Sequence, residues 1–176
     1  MGSLRLLFAC ACATVVALLL SAGPVAARRS VGAAPTVRDV LVQINAQRTR
    51  RGLRPLRLAR PLNAAADQHT REMGTEGYFS HDSADGTSFW QRIRRFYPCT
   101  GYSSCMAGEN ILWASAGIEA AEAVRLWMHS TGHRRNILNR GWRDIGISSR
   151  SFEAAPGTFH GLDVTIITTD FGTRAR

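Results

Sequence analysis

The stretch that most constrains this chain is Trp127 to Leu138, WMHSTGHRRNIL. Apolar spacing leads into Trp127-Met128 as the end of an amphipathic helix. A polar corner, His129-Ser130-Thr131-Gly132-His133, follows at once. Ile137 and Leu138 then anchor a second short helix. Ser130 suits the N-cap of that helix, because its hydroxyl can accept from the His133 amide. His133 then falls in the first turn, where the helix dipole disfavours imidazolium. A neutral imidazole can bind a metal or accept a hydrogen bond. The same residues also describe a plain helix junction with a surface histidine. The choice depends on what else in the chain converges on His133.

The chain has 176 residues, which fits one domain. Its start reads as an export signal. Arg5 supplies the positive end, Leu6 to Leu20 an apolar stretch, and Val25-Ala26-Ala27 the small residues of a cleavage point. That apolar stretch is short of the ~20 residues of a membrane span. The expected organisation is a signal over residues 1–27, a small-residue linker over 28–36 and a folded domain over 37–173. Cys10 and Cys12 fall in the signal. Cys99 and Cys105 remain, and an exported chain with two thiols pairs them. The loop is short, so the entropic gain is about 2.3 kcal/mol. The alternative is two free thiols.

Every basic residue is arginine, and the net charge is +9. Arg48 to Arg60 contains six arginines, and Arg92, Arg94 and Arg95 form a second group. Such clusters attract anionic surfaces. No nucleic-acid motif accompanies them and no aromatics interleave with the first, so nucleic acid is not an expected partner.

Thr36 reads as the N-cap of a first helix, with Asp39 in its first turn and Gly52 as its stop. Pro61 opens a second helix with Leu62, Ala65, Ala66, His69 and Met73 on one stripe. His69 is therefore read as a packing histidine. Tyr78-Phe79 precede a polar Ser80-His81. Thr87 or Ser88 caps a third helix, with Phe89, Ile93 and Phe96 inward. Glu109 stands before the apolar run Ile111-Leu112-Trp113. A carboxylate there is either a solvent-facing strand residue or a paired, functional one. Ser115 is expected to cap the fourth helix, with Ala120, Ala121, Val124, Trp127 and Met128 inward. A strand from Trp142 to about Phe152 and a β-rich run from Thr158 to Phe171 complete a hairpin. His129 is expected to face solvent, and His160 to start the last strand. Helices dominate early and strands late, so the class is α+β.

Phe79-Ser80-His81, Gly108-Glu109-Asn110, the Trp127–Leu138 stretch and Ile145-Gly146-Ile147 occur in that order. Together they resemble the CAP superfamily, the cysteine-rich secretory, antigen 5 and pathogenesis-related group, and its bacterial secreted branch in particular. The resemblance covers about residues 38 to 172. It implies an α-β-α sandwich, with helices on both faces of a small antiparallel sheet. It also implies a cleft lined by two histidines and one or two acids, matched here by His81, Glu109 and His133. Eukaryotic members carry a second glutamate where this chain has Ser130.

Two imidazoles and a carboxylate suit zinc or another divalent cation. Without metal the trio can form a hydrogen-bonded cluster in which Glu109 fixes one imidazole. The resemblance implies a secreted, monomeric binding module for a lipid or cell-envelope component, with no turnover assigned. The alternative is a metal-dependent hydrolase using the same residues. A serine hydrolase built on Ser130, His133 and Glu109 lacks a nucleophile elbow.

Overall fold

The computed structural model describes residues 33–115 and 117–176. The export signal, Cys10, Cys12 and the first part of the linker lie outside the described residues. The first helix, α1, is Val37–Thr49. It starts where Thr36 Oγ1 accepts from the Asp39 amide at 3.1 Å. A two-residue strand, β1 (Arg57–Leu58), leads into α2 (Arg60–Glu76). Gly77 ends α2 in the left-handed region, at φ 75°. The third helix, α3 (Phe89–Phe96), begins in a capping box of Ser88 and Gln91. Then come β2 (Ser104–Ser115), α4 (Ala120–His129), α5 (Thr131–Ile137), β3 (Asp144–Ala155) and β4 (Leu162–Ala175).

The sheet order is β1-β3-β4-β2. β2 and β3 run antiparallel to the central β4. The short β1 adds a parallel pair on β3, an element absent from the sequence reading. Strand alternation divides the core into two layers. Leu112, Ile145, Ile147, Ile167 and Phe171 face α1, α4 and α5, with Trp127 buried among them. Ile111, Val164 and Ile166 face the other way and pack with Met73 and Phe159. Leu62, Ala65, Ile93 and Tyr97 join α2 to α3 on that second side. The expected α-β-α sandwich is therefore present, in the α+β class.

Several local expectations need correction. Ser115 caps no helix, because β2 runs through it and α4 begins at Ala120 after an N-cap at Glu119. Ala121 points outward, and Ala123 takes its place in the buried stripe. Thr158 lies in a short 3-10 turn, and the last strand extends beyond Phe171 to Ala175. His160 sits before that strand in a left-handed conformation, at φ 53°. His69, by contrast, is fully buried, and its Nε2 is 2.9 Å from the Ser80 carbonyl.

Two arginines assigned by sequence to cationic clusters are structural. Arg48 is fully buried and donates to the carbonyls of Arg54, Ile137 and Asn139 at 2.9, 2.7 and 3.0 Å. It thereby ties the end of α1 to the end of α5. Arg92 is also fully buried. Arg50, Arg51, Arg54, Arg57 and Arg60 remain exposed.

Gly146 shows how closely α2 sits on the sheet. A Cβ there would stand 2.0 Å from the Leu62 carbonyl carbon, a backbone atom that cannot swing aside. Gly146→Ala is expected to cost about 3 kcal/mol, read as a lowered urea midpoint with an unchanged slope. An unchanged midpoint would mean that α2 is free to move off β3.

Candidate functional site

The site is built around the edge strand β2. Glu109 and Asn110 are consecutive on it, so their side chains point to opposite faces of the sheet. Glu109 faces the side of α2 and α3, and its side chain is 1% exposed. Asn110 faces α5 and donates to the His133 carbonyl at 3.1 Å. One dipeptide thus grips the chain on both sides of the sheet.

Glu109 is fully engaged. Its Oε1 lies 2.7 Å from His81 Nδ1, and its Oε2 pairs with the Arg92 guanidinium. Arg92 also donates to the His81 carbonyl at 3.0 Å and to Ser83 Oγ at 3.1 Å. Arg92 therefore holds both the partner of the imidazole and the loop that carries it. The His81 side chain is 47% exposed, so the ring's other edge faces solvent. Of the expected trio, only His81 and Glu109 are hydrogen-bonded to each other, and Glu109 sets the orientation of that one imidazole.

His133 comes from the first turn of α5. Ser130 occupies the N-cap position, but its side chain makes no capping hydrogen bond, contrary to the sequence reading. Instead α5 is fixed from below. Asn136 Nδ2 donates to the Glu109 carbonyl and to Asn110 Oδ1, both at 2.9 Å. Trp142 Nε1 donates to the Asn136 carbonyl at 3.0 Å. The Trp127 indole donates to the Ile111 carbonyl at 3.1 Å. The outermost strand is covered by side-chain donors from α4 and α5, which blunts it as an edge. Burial first, and then the nearby His81 charge, hold the His133 imidazole below its ordinary value. Both effects favour the neutral ring.

Between the two histidines' elements lies an open groove of about 330 Å³. Phe79 and Trp113 line one side, and Leu126 and Trp127 the other. Ser130 and His133 line it as well, and Leu126 is 41% exposed. Large exposed apolar groups bordering polar ones mark binding grooves more often than inert surface.

The expected metal trio is not gathered as three ligands. No group of three His, Cys, Asp or Glu side chains among the described residues is placed to hold a metal ion. Both Glu109 oxygens are occupied by Arg92 and His81. The donors left are the Nε2 of His81 and the imidazole of His133. A carboxylate behind a histidine fits an outer-shell role better than a ligand role. Cys99 and Cys105 form the expected disulfide, at the start of β2.

Sequence reasoning missed two site residues. Arg92 was counted as a surface cation, although it lies one turn from Phe89 and beside the inward Ile93. Asp170 was passed over inside a β-rich run. It pairs directly across from Glu109 and is fully buried. A lone acid within a strand of buried residues was the available signal.

The fold is shared with known proteins. Residues 41–158 match the family described as CAP: cysteine-rich secretory protein family. The chain belongs to the cysteine-rich secretory protein family. It is 36% identical over 110 residues to the Bacillus subtilis protein YkwD, an alignment covering 62% of this chain and 40% of that one. It resembles the structure of an extracellular protein containing an SCP domain from Bacillus anthracis, at 25% identity and TM-score 0.59. That match covers 79% of this chain and 40% of the other. An outer surface protein from Borrelia burgdorferi shares the fold at 20% identity and TM-score 0.59, covering 78% of this chain and 91% of that one. The chain spans about 40% of the length of YkwD and of the Bacillus anthracis protein.

Asp170 gives this family member a pH signature. As a carboxylate, neither of its oxygens has a donor among the described residues. Burial, followed by the Glu109 charge, holds its carboxyl well above the usual range, with Arg92 pulling the other way. When protonated it can donate to Glu109. A raised folded pKa means stability present at low pH and lost as pH rises from the unfolded value, about 3.9, towards the folded one. Asp170→Asn keeps the shape and supplies a permanent donor. It is expected to leave stability unchanged near pH 3 and to raise the melting temperature at pH 7. A lower melting temperature at pH 7 would show that Asp170 is needed as an anion.

Proposed function

We propose that the chain is an exported binding module of the cysteine-rich secretory protein family. The groove between α4 and the Phe79 segment holds a small apolar molecule, a lipid or a cell-envelope component. Its polar end rests against His133 and Ser130. The observation that carries this reading is the groove itself, with Phe79, Trp113, Leu126 and Trp127 as walls and His133, whose burial favours the neutral imidazole, on its lining. A neutral His133 accepts a hydrogen bond from a hydroxyl or a protonated acid without the cost of desolvating a charge.

Export is supported by the signal-like start and by relatives described as extracellular or outer-surface proteins. No described helix is long and apolar enough to cross a membrane. The exposed arginines from Arg50 to Arg60 would hold the domain near an anionic envelope. A divalent cation, zinc included, would be held by His81 and His133, with Glu109 orienting His81 from behind. It would supply charge to a ligand head group. The hydrolase alternative is less well supported, because it needs Glu109 as ligand or base, and Arg92 and His81 already occupy that carboxylate.

Titration with a fluorescent fatty acid tests this reading. Saturable binding is expected, weakened at least about tenfold, or ~1.4 kcal/mol, by Leu126→Arg. Val42→Arg, at an exposed apolar position on α1, should leave it unchanged. Absence of binding, or equal loss in both variants, would overturn the groove as the ligand site.

A further inference from the structure

Helix α3 carries a second feature, away from the histidines. Trp90 and Arg94 are four residues apart, so they share one face of the helix. Both are exposed, Trp90 at 45%. They form one wall of a cavity of about 390 Å³. Tyr97, Tyr102 and the start of β2 form the others, and the Cys99–Cys105 disulfide closes the rim.

The floor of this cavity is fixed. Tyr97 is 3% exposed, and its hydroxyl donates to Asp144 at 2.6 Å. The Arg174 guanidinium lies over the Tyr97 ring at 3.8 Å and the Tyr102 ring at 4.6 Å, and it donates to the Pro98 carbonyl at 3.3 Å. Arg174 is therefore committed to the two tyrosine rings. Arg94 is not. It has no hydrogen bond or ion pair among the described residues, and neither the Trp90 indole N–H nor the Tyr102 hydroxyl has a partner among them. Among the described residues, no aspartate or glutamate lines the cavity.

A rigid, disulfide-rimmed cavity thus presents an unpaired guanidinium, spare donors, and the open face of an indole. Unmet donors without unmet carboxylates select an acceptor-rich anion. An exposed indole beside them selects a flat ring. We propose that this cavity binds a small ring-bearing anion, with the anionic group on Arg94 and the ring against Trp90. A carboxylated sugar and a nucleoside phosphate both carry that chemistry. Guanidinium geometry suits either anion.

The inference does not depend on the histidine groove. Calorimetry of the protein with a hexuronic acid disaccharide, a nucleoside monophosphate and a neutral disaccharide tests it. At least one charged probe should bind in a saturable way, and the neutral disaccharide should not bind. Which charged probe binds more tightly identifies the source of the anion. Arg94→Gln and Trp90→Ala, both at exposed positions, should each weaken binding at least about tenfold. His133→Ala should leave it unchanged. The proposal fails if neither charged probe binds, if the neutral disaccharide binds as well, or if Arg94→Gln has no effect. It also fails if His133→Ala abolishes binding, because the ligand would then occupy the other groove.

Discussion

The buried pairing of Arg92 with Glu109 is the interaction on which the site depends. Each side chain is 1% exposed, so neither charge could remain there alone. The pair does not follow from packing, since an apolar couple of the same volume would fill the space at no electrostatic cost. Its effect is geometric. Arg92 fixes one oxygen of Glu109 and the carbonyl of His81, and the second Glu109 oxygen is left aimed at His81 Nδ1. The imidazole is half in solvent, but its orientation is set from inside the fold.

That arrangement is transmitted through one strand. β2 is the outermost strand, and its neighbouring residues Glu109 and Asn110 engage opposite faces of the sheet. On one face Glu109 reaches α3 and the His81 loop. On the other, Asn110 donates to the His133 carbonyl, and Asn110 Oδ1 and the β2 carbonyls accept from Asn136 and Trp127. The two histidines therefore approach each other around a strand edge that its own side-chain partners have sealed. The remaining gap is apolar because Phe79, Trp113 and Leu126 have no layer above them. Asp170, behind Glu109, keeps the interior polar without adding a second fixed anion when it holds its proton.

How much of this was legible in the sequence follows from which signals are local. Thr36, Pro61, Gly77 and Ser88 act within one turn of chain, and the structure places helix ends at or beside each of them. The ordered motifs at His81, Glu109 and His133 carried the family and the α-β-α layers. The parallel pairing of β1 with β3 is set by tertiary contact over two residues, and nothing local marks it. Ser115 looked like a cap because a serine before an alanine-rich segment fits both a strand end and a helix start. Arg48 and Arg92 could not be told from surface arginines by composition, since only burial distinguishes them. Asp170 meets Glu109 across two strands 61 residues apart in sequence, which no spacing rule encodes.

The central claim is that His81 is oriented by a buried carboxylate that Arg92 fixes in place. Long-range proton–nitrogen NMR of the protein at pH 8 reads this directly. His81 should carry its proton on Nδ1, with a downfield resonance that is protected from exchange. Glu109→Gln should remove that protection while the His69 and His133 signals persist. A His81 ring that exchanges freely between its two neutral tautomers in the unsubstituted protein would contradict the claim.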